Sequence, residues 1–134
     1  MSEKITVEMT KEHAQTVQDA CELLMRMKLG QTISPTEIML GGFDSIGKYS
    51  VDEFCMRRDA ANDVLRAFLR ITGNKEGCEK DRVESLAYEV FGTIRHALWK
   101  YDNPNTKDSW SVASQPPLCE SGLKMPKCTV KKEL

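Results

Sequence analysis

Three times in the first 73 residues a hydroxyl side chain opens a helix-patterned run and a glycine closes it. Thr10, with Glu12 in the first turn, starts a run that stops at Gly30. Ser34-Pro35-Thr36-Glu37 starts a short run ended by Gly41-Gly42, and Ser50-Val51-Asp52-Glu53 starts a long one ended by Gly73. A Ser or Thr oxygen can accept from a free amide of the first helical turn, and Glu three residues on completes a capping box. Proline just after the cap loses nothing by lacking an N–H, and glycine adopts the left-handed stop. This punctuation commits the front of the chain to helices. The spacing places Ser34 as N-cap of the short helix, with Pro35 first and Glu37 third.

Between the caps the apolar residues follow helical spacing. In the first run Ala14, Val17, Ala20, Cys21, Leu23, Leu24 and Met27 form an arc wide enough to face two neighbours. In the third, Phe54, Ala61, Leu65 and Phe68 form a core stripe widened by Ala60, Val64, Ala67 and Ile71. A fourth helix is expected from Lys80 to Tyr101. Ahead of the first helix, "KITVEM" (4–9) alternates apolar and polar residues like a half-buried strand, for which "SWSVAS" (109–114) could supply a partner. Four of the five prolines lie beyond Asp102 with no helical period. The expected fold is mainly α: a small domain of three main helices and one short one, with a minor β element over 1–102. Residues 103–134 are an extended segment packed on the core or on a neighbouring chain.

The formal net charge of -1 gives no broad electrostatic footprint for nucleic acid, and no apolar run is long enough to span a bilayer. The first residues lack the apolar core of a secretion signal, so the final KKEL carries little weight as a retrieval signal and a cytoplasmic location is expected. The five cysteines form no C-x-x-C pair and read as free thiols. Cys119, Cys128 and a histidine have the wrong spacing for a closed zinc site, so neither metal nor cofactor is expected.

The fourth helix, "YEVFGTIRHALWKY" at its heart, carries two stripes. Val83, Leu86, Val90, Ile94, Ala97 and Tyr101 fall on one face and read as core. Tyr88, Gly92, Arg95 and Trp99 repeat the same spacing on another face. Glycine costs about 1 kcal/mol inside a helix, so Gly92 calls for a close approach by another backbone or by a ligand. Tyr88 and Trp99 offer flat rings to a base and Arg95 a charged fork to a phosphate. The competing explanation is packing: the first helix or the tail covers the stripe and Arg95 meets a carboxylate. His96 lies just beyond it.

Arg57 and Arg58 fall within the apolar arc of the third helix, where charge needs a partner. They either reach acids such as Glu84 or Glu89 or rim an anion cavity. Gln31, just past the Gly30 stop, can present its amide, and Arg26 is placed to pair with Glu22 one turn away. "LGGFDSIGKYS" (40–50) is glycine-rich but lacks the phosphate-loop pattern. No nucleophile elbow, H-E-x-x-H or catalytic triad is visible, so catalysis is not expected; the minor alternative is a small nucleotide-cleaving enzyme with His96 as general base.

"LLMRMKLGQ" and "AYEVFGTIRHALWKYDNP" together resemble a family of small, largely uncharacterised bacteriophage and prophage proteins. That family pairs an R-x-x-x-G-Q helix end with an I-R-H-A-L-W helix; here the matching positions are Arg26, Gly30, Gln31 and Ile94 to Trp99. The resemblance covers about a third of the chain and implies a phage accessory protein acting against host defence. Its implied function is non-catalytic sequestration of a phosphate-bearing nucleotide signal. Arg95 and Arg57 or Arg58 would hold phosphate, Trp99 or Tyr88 would stack on the base, and Gln31, Arg26 and His96 would complete the site. The alternative is an interaction module that binds and inhibits a host defence protein. A homo-oligomer is expected in either case, since the doubled stripe and the lone strand ask for more surface than one chain supplies.

Overall fold

The computed structural model of the chain describes residues 3–41, 48–74, 81–106 and 111–132. Among the described residues four α-helices run in chain order: α1 (Lys11–Lys28), α2 (Ile33–Met39), α3 (Val51–Thr72) and α4 (Arg82–Asp102). A 3-10 turn follows at Val112–Ser114. The fold is mainly helical, as the caps require.

The punctuation acts as read at two of the helix starts: Thr10 Oγ1 accepts from His13 N at 3.2 Å and Ser50 Oγ accepts from Glu53 N at 3.1 Å. α4 begins at Arg82 behind a cap not foreseen from the sequence, Asp81, whose Oδ1 accepts from Glu84 N at 2.8 Å. Gly30 (φ 74°) closes α1 with paired bonds from Gly30 N to Met27 O and from Gln31 N to Arg26 O, and Gly73 (φ 83°) closes α3 in the same manner. The start of α2 departs from the expectation. The helix begins at Ile33 behind Thr32, which makes no side-chain cap, so Ser34 is not the N-cap and Pro35 is third. The α1 stop delivers the chain directly into α2, and Pro35 remains within the first turn, where a missing N–H still costs nothing.

α1 and α4 pack antiparallel. Lys11 meets Asp102 at 3.1 Å at one end, and Lys28 meets Asp81 at 2.7 Å at the other. Both pairs are half exposed, so they set the register of the two helices and add little stability. Between them Met25, Ala87 and Phe91 are buried, with Cys21, Leu29 and Tyr88 packed against them. Burial pushes the Cys21 thiol above its ordinary pKa, consistent with a small apolar core residue. α2 ties α3 to this pair: the buried Thr36 hydroxyl lies 2.8 Å from Asn62 Oδ1, and Arg58 reaches Glu37 at 3.8 Å.

Two expectations are corrected here. Residues 4–9 form no strand and are exposed, and Val112–Ser114 coils into the 3-10 turn instead of pairing with them. The expected core stripe of α4 is also not its buried side, and of the second stripe Gly92 is buried while Tyr88, Arg95 and Trp99 are half-buried. Val83 and Tyr101 of the presumed core stripe are exposed and Leu86, Val90, Ile94 and Ala97 only half-buried. The buried side of α4 instead runs through Glu84, Ser85, Ala87, Glu89, Phe91, Gly92 and Leu98. The face that carries glycine is the one that is covered.

Candidate functional site

What covers it is the tail. Residues 113–121 run along α4 in the opposite direction and touch it at four successive levels. His96 Nδ1 lies 3.0 Å from Ala113 O, so the ring must carry its proton on Nδ1 to donate there. One turn down, a Cβ on Gly92 would sit 2.6 Å from Pro117 Cβ and 3.0 Å from its Cγ. Next, Leu118 N donates to Tyr88 OH at 3.4 Å. At the last level Glu89 Oε1 accepts from Glu120 N at 2.9 Å and Ser121 N at 2.8 Å, while Oε2 accepts from the Ser121 hydroxyl at 2.8 Å. Gly92 is glycine because a proline ring is seated on it.

Glu89 is 2% exposed yet remains a carboxylate. Burial alone raises its pKa, but the Ser121 amide and hydroxyl, the Glu120 amide and the Cys119 thiol outweigh it and hold the group below its usual range. Successive amides turned toward one point make an anion-binding concavity, and here the anion is the chain's own carboxylate. Gly122 (φ 78°) and the bond from Leu123 N to Ser121 Oγ at 3.1 Å shape that turn.

The seated tail leaves a cleft against α4 of about 350 Å³. Thr93, His96, Ala97 and Lys100 form its α4 wall, and Pro116, Pro117, Met125, Pro126 and Cys128 form its tail wall. The volume falls at the lower end of small-ligand sites, which are lined mostly by apolar groups with a few polar ones. The Cys128 thiol has its pKa raised by burial, so it contributes apolar surface here instead of a reactive thiolate.

The residues expected from the sequence to share one ligand site are dispersed. His96 alone lines the cleft, and Tyr88 spends its hydroxyl on the tail. Arg95 lays its guanidinium 4.5 Å from the centre of the buried Phe91 ring; its Nε is buried without a partner, and it meets no carboxylate among the described residues. Trp99 is half-buried, its carbonyl capped by Asn103. Arg26 pairs with Glu22 at 3.6 Å, as its spacing predicts, and donates to Gln31 Oε1 at 2.9 Å at the end of α1, while its Nε is buried without a partner.

Arg57 and Arg58 find acids, but not Glu84 or Glu89. Arg57 pairs with Glu53 at 3.1 Å and covers the Tyr49 ring at 4.6 Å, while Arg58 divides itself between Glu37 and Asp59. Their local and α2 neighbours are simply nearer. Most of the glycine-rich stretch, 42–47, lies outside the described residues. Among the described residues no group of three His, Cys, Asp or Glu side chains could hold a metal ion, and no helix is long and apolar enough to cross a membrane.

Lys100 and the tail prolines carry no site signal in the sequence, and Glu89 is read there only as an acid for Arg57 or Arg58. Glu89 shares the i, i+3, i+7 face of Gly92 and His96, a visible signal, but its amide donors lie in a segment without periodicity. Comparison with protein-family models, curated proteins and solved structures yields no match to this chain.

Proposed function

We propose that the chain is a non-catalytic binding protein that takes a phosphate-bearing nucleotide into the cleft between α4 and the tail. The observation that carries the reading is the make-up of that cleft. Lys100 stands one helical turn from His96 on one wall, and Pro116, Pro117, Pro126 and Met125 offer flat or adaptable apolar surface on the other. The ammonium suits a phosphate as a point charge, and the proline rings suit the face of a base. His96 has its Nδ1 proton held by a backbone carbonyl, which fixes the ring and leaves Nε2 to accept a hydrogen bond from a ligand. With the resemblance of the Arg26–Gln31 and Ile94–Trp99 segments to small phage proteins, the reading extends to sequestering a nucleotide signal of host defence in the host cytoplasm.

Calorimetric titration of the full chain with cyclic di- and trinucleotides and ADP-ribose tests the proposal. One site per chain is expected, with Lys100→Ala weakening it roughly tenfold to hundredfold, the worth of a charged hydrogen bond. A panel without binding refutes the reading. Loss of binding in folded Arg95→Ala but not in Lys100→Ala moves the site to the α1 side of α4.

A second reading, a module that binds and inhibits a host protein, is favoured by Val112, Leu118 and Leu123, which stand exposed on the outside of the seated tail. It predicts that Val112→Ser with Leu118→Ser releases a captured partner while leaving nucleotide titrations unchanged.

A further inference from the structure

The chain exposes 10374 Å², whereas a compact monomer of this mass exposes roughly 7000 Å². The difference is about four times the roughly 800 Å² that one chain gives to an ordinary interface, so one interface accounts for only part of it. α3 contributes conspicuously to it. Its only substantial neighbour among the described elements is α2, and the side that carries Asn62 and Arg58 makes that contact. On another side Met56 is 73% exposed, Val64 72%, Phe68 53% and Ile71 86%.

The spacing along this face is that of a two-helix seam. Arg57, Ala60, Val64, Ala67 and Ile71 recur at alternating steps of three and four, with Phe68 and Ala61 on one flank and Asp63 and Arg70 on the other. We infer that the outer face of α3 is the interface with a second copy of this chain, the two α3 helices packing antiparallel about a two-fold axis near residues 65 and 66.

Register and charge select this occupant. In that arrangement Val64 faces Ala67 of the second copy, Ala60 faces Ile71 and Ala61 faces Phe68, so each large side chain meets an alanine and the helices approach closely. The same register sets Asp63 opposite Arg70 of the second copy, and the two-fold axis repeats the pair. Neither Asp63 nor Arg70 makes an ion pair within the chain among the described residues. A parallel pairing would instead stack Arg57 on Arg57 and Ala60 on Ala60, with like charge and a gap. An isologous contact closes on itself and yields a dimer. This interface lies on α3, away from the cleft on α4, and stands whether or not a nucleotide binds there.

Sedimentation equilibrium of the full chain tests the inference. The expected mass is twice the 15.2 kDa of one chain. Asp63→Arg and Arg70→Asp, each turning two attractive contacts repulsive, are each expected to raise the dimer dissociation constant roughly tenfold to hundredfold. An equimolar mixture of these two variants restores both opposite-charge contacts and recovers association, as does the double variant. Recovery in the mixture also rules out misfolding as the cause of the losses. A monomer at every concentration overturns the inference. So does a dimer indifferent to the single reversals, or a mixture that fails to recover.

Discussion

Gly92→Ala ought to stabilise an ordinary helix by about 1 kcal/mol. Here the added methyl would lie 2.6 Å from Pro117 Cβ, where carbon atoms prefer roughly 3.5–4.0 Å. The rigid proline ring must therefore retreat by about 1 Å. That retreat stretches the Leu118–Tyr88 bond, already 3.4 Å, and pulls on the amides bound to Glu89. Overpacking of this kind costs about 1–3 kcal/mol, so Gly92→Ala is expected to be neutral or to destabilise by up to about 2 kcal/mol. In a Pro117→Gly background the obstructing ring is gone, and the same substitution is expected to stabilise by about 1 kcal/mol. A double-mutant cycle isolates the coupling, on the order of 2 kcal/mol, because the unfolded-state effect of removing proline cancels. Urea unfolding of the four proteins measures it. Equal effects of Gly92→Ala in the two backgrounds would refute the seating of Pro117 on α4.

Glu89→Gln places an amide where Oε2 accepts from the Ser121 hydroxyl and discharges Oε1, and a loss of about 1.5–3 kcal/mol is expected by the same urea assay. Glu89 and Asp81 both have folded pKa values below their ordinary ones, Asp81 chiefly through Lys28 and then the Glu84 amide. Their contribution is therefore full above the unfolded carboxylate range, about pH 4–4.5, and is lost as pH falls through the lower folded values. Thermal unfolding from pH 7 to 3 is expected to show that loss, shallower in Glu89→Gln; a slope of the opposite sign would contradict it. Lys11→Ala changes stability by less than about 1 kcal/mol, since its pair with Asp102 is half exposed. Asn62→Ala removes one of two acceptors of the buried Thr36 hydroxyl, the other being Ile33 O at 2.9 Å, and costs about 0.5–1.5 kcal/mol.

The helices were legible because their ends are written in local chemistry. Thr10, Ser50, Gly30 and Gly73 act on backbone groups within a few residues, so no tertiary knowledge is needed to place them. The short α2 was misplaced at its start because two turns, one ending α1 and one beginning α2, share the same residues. Which side of α4 is buried was not legible from apolar count. Val83, Val90 and Ile94 outweigh Glu89 and Gly92 in hydrophobicity, yet the tail chooses the latter side, satisfying the carboxylate with amides and the glycine with a proline ring. Gly92 was the one residue whose local cost announced a close neighbour. The tail residues that answer it have no periodic signature, and the cleft they form with Lys100 had none either.

The cleft exists only while the tail is held against α4, and amide hydrogen exchange at Glu120 and Ser121 tests this most directly. Both amides donate to Glu89, so at neutral pH they are expected to exchange far more slowly than free amides and to lose that protection in Glu89→Gln. Exchange at the free-amide rate in the unaltered chain, with the interior of α4 still protected, would contradict the tail's place on α4 and, with it, the cleft.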